Sequence, residues 1–228
     1  MLLKKWNDLP QYMKNEEVKI YYDILSHKKG QLILKRIFDI IVSFILIILL
    51  SPAILVISIW IKLDSQGSVF YRQERVTQYG KIFNIFKFRT MVANADKIGT
   101  LVTTKNDSRI TKVGEKIRKY RIDEIPQLFN ILIGDMTFVG TRPEVKKYVD
   151  QYTDEMYATL LLPAGVTSLA SIEFKDEDDI INNYKNRDID DVYMNEVLPL
   201  KMKYNLEELT SFYFMKEIGV MFSTVMKV

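Results

Sequence analysis

Two adjacent carboxylates, Asp123 and Glu124, lie among arginines near the middle of the 228-residue chain. At the start of a helix both could face one cation, so that one carboxylate ligates Mg²⁺ while the other attacks an electrophile. A carboxylate that attacks phosphorus forms an acyl phosphate, which is a recognised covalent intermediate. The pair alone is weak support for this chemistry, because most acidic pairs are solvated helix N-termini that suit the macrodipole.

Phosphoryl transfer also requires cations that bind the equatorial oxygens and the leaving group. Guanidinium groups match phosphate geometry, since they offer two parallel donors. The candidate cations in this chain are Lys87, Arg89, Arg118, Arg121 and Arg142. Together with the two carboxylates, they predict a site for phosphoryl chemistry.

Composition excludes several other chemistries. The chain has no cysteine and a single histidine, His27. Disulfides and thiolate catalysis are therefore impossible, and a structural zinc site or a histidine-based triad has almost no residues to draw on. Acid–base and nucleophilic roles fall to carboxylates, Lys, Tyr, Ser and Thr.

Charge is unevenly distributed, although the formal net charge is only +3. Residues 72–121 contain 13 Lys/Arg and 4 Asp/Glu, a net charge of +9, whereas residues 150–228 contain 7 and 15, a net charge of −8. A basic middle is typical of chains that bind phosphates, nucleic acid or lipid headgroups, and also of ordinary solvated surfaces. No nucleic-acid-binding motif accompanies the charge, so nucleic acid is not an expected partner.

Residues 37–61 form a nearly uninterrupted apolar segment. As a straight helix this segment would reach roughly 37 Å, enough to cross a bilayer core of about 30 Å. It starts too late and is too long for a cleavable signal peptide. The segment therefore predicts a membrane helix, which we bound at residues 35–62.

Ser51-Pro52 lies in the middle of this segment and predicts a kink, because proline lacks a backbone donor and clashes with the preceding turn. A kinked helix could span the bilayer as a simple anchor, or two half-helices could enter and leave by the same face. Lys35 and Arg36 precede the segment and further cations follow it, which favours re-entry. Asp39 lies one turn from Lys35 and Arg36, which predicts an interfacial ion pair.

The remaining pattern predicts a small α/β domain in which helices dominate, associated with a membrane. A helix opens at Asp123 or Glu124 and stops at Gly134. Residues 206–228 predict a helix that lies in the core or, as an amphipathic helix, at the membrane interface. Further helices are predicted at residues 16–25, 90–96, 112–121 and 191–204, and strands at residues 70–76 and 82–89.

A series of short segments carries a resemblance to a known family. They are KRIFD at 35–39, SP at 51–52, FYRQER at 70–75, FKFRTM at 86–91, NDSRIT at 106–111, DEIPQL at 123–128, GDMTFVG at 134–140, RPE at 142–144, PAGVT at 163–167 and YNL at 204–206. In this order and spacing, the chain resembles the bacterial sugar transferases, the monotopic phosphoglycosyl transferases that start glycan assembly on polyprenol phosphate.

The resemblance implies a location at the cytoplasmic face of the bacterial inner membrane. It implies a re-entrant helix at 35–62 broken at Ser51-Pro52 and a cytoplasmic catalytic domain at 63–228, which follow an N-terminal extension that the polar composition of residues 1–34 predicts. Both ends of the re-entrant helix would then be cytoplasmic. Membrane lipid is an expected partner, and a homodimer is compatible with this organisation.

The resemblance also implies the chemistry. Asp123 would be the nucleophile and Glu124 the Mg²⁺ ligand, with Lys87, Arg118 and Arg142 as cationic substrate contacts. Asp123 would attack the β-phosphorus of a UDP-sugar and release UMP. Polyprenol phosphate, in bacteria undecaprenyl phosphate, would then take the phosphosugar from the aspartyl intermediate.

Two departures from the family pattern lie close to these residues. Thr141 stands where the family usually has proline before Arg142. In the usual Pro-Gly-Ile-Thr-Gly stretch an alanine is inserted, Ser168 replaces the last glycine, and Ser171 stands at a glutamine. These changes could alter sugar preference. They also motivate an alternative, a catalytically silent assembly or regulatory protein on the same scaffold.

Overall fold

A computed structural model describes residues 3–95, 107–174, 184 and 187–227 of the chain. Helices dominate, as predicted, and two small sheets complete the α/β fold. The helices are α1 Glu16–Ser26, α2 Lys29–Asp64, α3 Lys112–Lys119, α4 Gln127–Ile133, α5 Lys146–Val149, α6 Leu169–Glu173, α7 Ile189–Val192, α8 Leu198–Thr210 and α9 Phe214–Lys227; the strands are β1 Phe70–Val76, β2 Ile82–Phe88, β3 Met136–Val139 and β4 Ala164–Thr167.

The predicted membrane helix is part of α2, which is 36 residues long and contains Pro52. It is long and apolar enough to cross a membrane. The helix runs without interruption through Pro52, so the predicted break into two half-helices is not seen. Pro52 cannot donate to the carbonyl of Ile48, and the Ser51 hydroxyl donates to that oxygen instead at 2.8 Å. The serine thereby satisfies the acceptor that the proline leaves free.

One face of α2 packs against the rest of the protein along its whole length. Near the N-terminal end Leu32 is buried, and near the C-terminal end Ile61 is buried against Phe88 and Ile117 of β2 and α3. The opposite face is apolar and exposed. Among its exposed residues are Ile37, Ile41, Phe44, Ile48, Leu55, Val56, Ile59 and Leu63.

Beneath α2 lies a group that we call the anchor cluster, formed by Lys35, Asp39, Thr137 and Glu217. The Lys35 ammonium donates to the Val139 carbonyl at 2.8 Å and pairs with Glu217 at 2.5 Å. Asp39 accepts from the Thr137 hydroxyl at 2.7 Å and from the Phe138 amide at 3.3 Å.

The anchor cluster corrects the prediction of an interfacial ion pair between Asp39 and the cations before it. Lys35 and Asp39 are each at least 98% buried within the protein. Arg36 points elsewhere and donates to the carbonyls of Ile131 and Leu132 at 2.6 and 2.9 Å. These three side chains therefore tie α2 to the domain instead of forming a charged collar at the lipid boundary.

The two strands that alternation predicted form an antiparallel hairpin, in which Phe70 pairs with Phe88 and Val76 with Ile82. The second sheet, β3 beside β4 in parallel, was not predicted. Each of its strands has only four residues, too few for a clear period-two pattern. The helix predicted at residues 90–96 is wrong for residues 90–94, because Met91 forms a bridge to Ile110; residue 96 lies outside the described residues.

The N-terminal segment contributes to the largest hydrophobic core. Leu9, Met13, Val18 and Leu25 are each at least 97% buried. They pack in one cluster with residues of the 3₁₀ turn Met156–Leu161 and of α8. Residues 1–34 are polar in overall composition, but they also form an apolar face that packs against the rest of the domain.

The C-terminal helix α9 has two distinct faces. Phe214 and Val220 are buried, and Val220 packs with Val139 of β3. Met215, Phe222 and Met226 are exposed. The helix predicted at residues 206–228 is divided, because α8 ends at Thr210 and α9 begins at Phe214. The core alternative describes the buried face of α9, and a position at the membrane interface stays a prediction for its exposed face.

Candidate active site

Asp123 and Glu124 lie on a 3₁₀ turn, Ile122–Glu124, that immediately precedes α4. Arg121 opens the turn with a positive φ of 50°, a conformation that non-glycine residues rarely adopt. The helix begins at Gln127, four residues later than the earliest predicted start, and ends at Gly134, as predicted, with φ 98°. The two carboxylates are thus held by a tight turn and not by the helix itself.

Glu124 is the centre of what we call the cleft cluster, formed by Lys87, Asp123, Glu124 and Arg142. The Lys87 ammonium of β2 lies 2.9 Å from Glu124 Oε1, and Arg142 Nη2 lies 2.6 Å from the same oxygen. Arg142 Nη1 is 3.4 Å from Oε2. Lys87 and Arg142, which lie 37 positions before and 18 positions after Glu124 in the chain, are therefore joined by one carboxylate.

The two neighbouring carboxyls have opposite pKa shifts. Burial raises the pKa of Asp123, and the charge of Lys87 only partly offsets this while Glu124 adds to it. Burial would also raise the pKa of Glu124, but Arg142 and Lys87 outweigh it and hold that pKa well below its usual range. Burial lowers the pKa of Lys87, against the opposing charge of Glu124.

The Asp123 carboxylate makes no hydrogen bond or ion pair with any described residue, although it lines the cleft. Its neighbour Glu124 pairs with Lys87 and Arg142 and remains ionised. The Asp123 carboxylate is therefore open for bond formation, while the Glu124 carboxylate holds positive charge beside it. This arrangement suits a nucleophilic role for Asp123.

Carboxylates fit the preferences of Mg²⁺, which usually binds one or two of them and completes its shell with water and substrate phosphates. Glu124 Oε2 is the more open oxygen of its carboxylate, because both short ion pairs involve Oε1. Within the described residues, no group of three or more potential ligands could hold a metal without other partners. The donor set therefore fits Mg²⁺ that arrives with a phosphate-bearing substrate.

The cleft in which these residues lie has a volume of about 1210 Å³. Its wall carries several cations besides Lys87 and Arg142. They include Arg72, Arg75, Arg109, Arg118, Lys119 and Arg121. Of the predicted substrate contacts, Arg118 points a half-buried side chain into this wall, where its charge acts on Asp123. The sequence-predicted residues Lys87, Arg118, Asp123, Glu124 and Arg142 are therefore brought together.

Arg89 also borders the cleft, but its guanidinium has a structural partner. Nη2 donates to the carbonyl of Ser65 at 2.8 Å, and Nη1 donates to that of Gln66. Both carbonyls follow the C-terminal end of α2, where a cation complements the helix dipole. Substrate contact by Arg89 stays a prediction, and its geometry favours a role in ending α2.

A second polar network in the cleft was missed by the sequence interpretation. Glu144 is 94% buried, accepts from the Tyr193 hydroxyl at 2.5 Å and lies 3.9 Å from both Arg75 and Lys201. Arg75 also donates to the Pro143 carbonyl at 3.2 Å. This network fastens the segment that carries Arg142. Arg75 and Glu144 fall inside family-like segments, whereas no local signal pointed to Tyr193 or Lys201.

The altered stretch at residues 163–171 forms β4 and the start of α6 beside the cleft. Ser168 caps α6, because its hydroxyl accepts from the Ser171 amide at 3.0 Å, and Ser171 lines the cleft. Gly165 donates to the Thr141 carbonyl at 2.8 Å. A Cβ at Gly165 would lie 2.2 Å from backbone atoms of Gly140, so glycine is required there. Ser171 thus presents a hydroxyl to the cleft, whereas Ser168 is fully buried.

Comparison with known proteins gives a consistent result. The profile of the bacterial sugar transferase family matches residues 30–228. A UDP-N-acetylgalactosamine-undecaprenyl-phosphate N-acetylgalactosaminephosphotransferase of Aeromonas hydrophila is 42% identical over 61% of the chain and 34% of its own length. A UDP-glucose:undecaprenyl-phosphate glucose-1-phosphate transferase of Klebsiella pneumoniae is 35% identical over 86% of the chain and 40% of its own length.

A further similar protein is nearer in size. An uncharacterized sugar transferase of Bacillus subtilis is 38% identical over 62% of the chain and 69% of its own length. The chain thus spans about a third to two fifths of the length of the two enzymes above, and a larger share of this protein.

Proposed function

The chain belongs to the bacterial sugar transferase family, and we propose that it is a phosphoglycosyl transferase that moves a sugar-1-phosphate from a UDP-sugar to undecaprenyl phosphate or a related polyprenol phosphate. The observation that carries this proposal is the Asp123 carboxylate, which is unbonded among the described residues and lies in a cation-lined cleft, beside a Glu124 that pairs with Lys87 and Arg142 through Oε1. The named activities of the relatives point to the same reaction class.

In the first step, an Asp123 carboxylate oxygen attacks the β-phosphorus of the UDP-sugar. The bond between that phosphorus and the bridging oxygen breaks, and UMP departs with the bridging oxygen and its electron pair. Asp123 then carries the sugar phosphate as an acyl phosphate. Because the Asp123 carboxylate forms no other bond with the described residues, no ion pair has to be broken before attack.

In the second step, a phosphate oxygen of the polyprenol phosphate attacks the same phosphorus. The acyl phosphate bond breaks, the Asp123 carboxylate is regenerated, and the polyprenyl diphosphosugar leaves. One phosphoanhydride replaces another overall, so no external energy source is needed.

The cations of the cleft bind and orient the phosphates in both steps. Arg142 and Lys87 are fixed by Glu124, and Arg118 adds charge on the Asp123 side. Mg²⁺ held by Glu124 with the diphosphate would neutralise charge on the phosphate oxygens and the departing UMP. Positively charged groups in fixed positions are what a phosphoryl-transfer site requires.

We propose a location at the cytoplasmic face of the bacterial inner membrane, with both ends of α2 on that side. Lys35 near one end bonds to Val139, and Asp64 at the other end accepts from the Val113 amide at 3.0 Å, so one domain holds both ends. A spanning helix would place its ends on opposite sides of about 30 Å of hydrocarbon. These contacts favour an arrangement with both ends of α2 on one side of the membrane over a span. The homodimer stays a prediction.

The location is testable because the chain has no native cysteine. Single variants Lys29→Cys and Gln66→Cys place a thiol at an exposed position on each side of the apolar run. With an impermeant maleimide, we expect both thiols to react in inside-out vesicles and neither to react in right-side-out vesicles. Labelling of one thiol in each orientation would establish a span and contradict the proposal.

The reaction is tested with purified protein, Mg²⁺, undecaprenyl phosphate and a panel of UDP-sugars. We expect UMP release with at least one sugar and a loss of release in Asp123→Asn. Turnover that persists unchanged in this variant would refute the nucleophile. Failure with every UDP-sugar, from a folded protein, would favour the alternative of a catalytically silent assembly or regulatory protein.

A further inference from the structure

Outside the cleft, the exposed side of α3 carries a group of positive charges. Residues 112–121 contain five Lys or Arg and one acidic residue, Glu115. Arg118, Lys119 and Arg121 line the cleft, whereas Lys112 and Lys116 do not. Lys112 and Lys116 are both exposed and are four positions apart, so they lie on one side of the helix. We call these two residues the lysine face.

Among the residues that the structure describes, the lysine face has no acidic partner that would account for its charge. No ion pair or hydrogen bond engages the side chain of Lys112 or Lys116 in the part of the chain that the structure describes. The one aromatic contact places the Lys116 ammonium 5.5 Å from the ring centre of Trp60 on α2. The two ammonium groups are therefore available to a ligand.

The position of α3 is fixed relative to the end of the apolar helix. The Val113 amide donates to Asp64 at 3.0 Å, and Val113 and Ile117 pack with Ile61. The apolar run of α2 ends at Ile61, so Trp60 lies at the boundary between lipid-compatible and polar surface. It is 40% exposed, and its neighbours Ile59 and Leu63 are more exposed still. Tryptophan is typical of the headgroup level of a membrane.

From this geometry we propose that the lysine face binds the headgroups of anionic phospholipids beside Trp60, at the C-terminal end of α2. When the acyl chains of a lipid lie along the exposed face of α2, the phosphate of that lipid would lie at the same membrane depth as Lys112 and Lys116 and could bind them. Phosphatidylcholine has a compensating cation, whereas phosphatidylglycerol has net negative charge, so the latter is favoured electrostatically. The proposal concerns bulk lipid and does not depend on the reaction in the cleft.

Tryptophan fluorescence gives a direct measurement, because the chain has only two tryptophans. In a Trp6→Phe background, Trp60 is the sole reporter. The full-length protein is placed in nanodiscs of constant phosphatidylcholine and phosphatidylglycerol composition, in which one or the other lipid has brominated acyl chains. The ratio of quenching by the two brominated lipids gives the headgroup selectivity around Trp60.

We expect brominated phosphatidylglycerol to associate about fivefold or more strongly than brominated phosphatidylcholine, and the preference to weaken in high salt. Lys112→Gln with Lys116→Gln should reduce the ratio to near one, with far-UV circular dichroism unchanged. The matched control, Lys5→Gln with Lys203→Gln, removes two exposed lysines elsewhere and should keep the preference.

Three results would overturn the proposal. Equal quenching by both lipids would show that no headgroup is selected, and absence of quenching would show that Trp60 does not contact lipid. A preference that survives in the double variant of the lysine face would place the selectivity elsewhere. Loss of the preference on adding a small amount of undecaprenyl phosphate would assign the face to the lipid acceptor instead of to bulk phospholipid.

Discussion

The cleft cluster and the anchor cluster share three residue types, which are bonded differently. Each has a lysine bonded to a glutamate close to an aspartate, with Lys87, Glu124 and Asp123 in one and Lys35, Glu217 and Asp39 in the other. In the anchor cluster the aspartate accepts two hydrogen bonds, from Thr137 and Phe138.

The aspartate of the cleft cluster accepts no hydrogen bond from the described residues and faces a large cleft. A charged group that makes its hydrogen bonds and ion pairs within the protein serves a structural role. A charged group that is positioned but left unbonded is suited to react. The difference between the clusters therefore separates a structural use of charge from a chemical one.

The largest expected effect comes from removing the cation of the anchor cluster. Lys35→Met would leave Glu217 and Asp39 buried without their lysine, and breaking a buried pair in this way costs about 3–5 kcal/mol. We expect the thermal midpoint in detergent to fall by about 10 °C. Lys87→Met is the matched change in the cleft cluster, and it should lower the midpoint less, because Arg142 still pairs with Glu124. Equal effects of the two changes would remove the distinction.

The next prediction concerns catalysis and compares the glutamate of each cluster, Glu124 and Glu217. Glu124→Gln should lower transfer by about 10²–10³-fold, the scale of losing one fixed electrostatic group in an active site, while the protein remains folded. Glu217→Gln should leave transfer per folded molecule nearly unchanged and lower the thermal midpoint. Steady-state UMP release and a melting curve on the same samples measure both quantities. A Glu217 variant with the larger catalytic defect would reverse the assignment.

A smaller effect concerns the link between α2 and the helix that follows the carboxylates. Arg36 donates to two carbonyls at the C-terminal end of α4, where a cation also complements the helix dipole. Arg36→Gln should lower the free energy of unfolding by about 1–2 kcal/mol. Arg36→Lys retains the charge and should recover part of this loss in the same denaturation measurement. No change in Arg36→Gln would show that the contact is not stabilising.

The subtlest effect is the pH dependence of stability in Asp123→Asn. Because burial raises the folded-state pKa of Asp123 above its ordinary value of 3.8, ionising this group disfavours the folded state. Wild-type protein should therefore be less stable than the variant at neutral pH. The difference should disappear as the pH falls below 3.8, where the group is protonated both folded and unfolded. A wild-type protein that is more stable at neutral pH would indicate an ion pair to Asp123.

The sequence identified most of the candidate site and part of the fold. Asp123 and Glu124 stood out as an acidic pair, and the hairpin followed from alternation at residues 70–76 and 82–89. It did not identify the β3–β4 pair, whose strands are too short to show a period. It also gave no sign that the Arg89 guanidinium binds the end of α2, and substrate contact by Arg89 stays a prediction.

The sequence-based prediction was least complete for contacts between residues that are far apart in the chain. Tyr193 and Lys201 reach Glu144 from about fifty residues away, and Lys35 meets Glu217 across 182 positions. No local pattern encodes such pairs, because they arise from the path of the chain. Likewise, the sequence predicted the long apolar helix, but Lys35, Arg36 and Asp39 were placed at its lipid boundary instead of in the protein.

By itself, the sequence determined the features that depend on neighbouring residues: the apolar character of α2, the period-two alternation of the hairpin, the glycine that ends α4, and two carboxylates side by side. Only the tertiary structure decided which charged side chains pair with other residues of the protein and which can bind a ligand. The reason is physical. Helix and strand formation depend on short-range sterics and periodicity, whereas the state of an ionisable group depends on burial and on charges brought within a few ångströms by the whole fold.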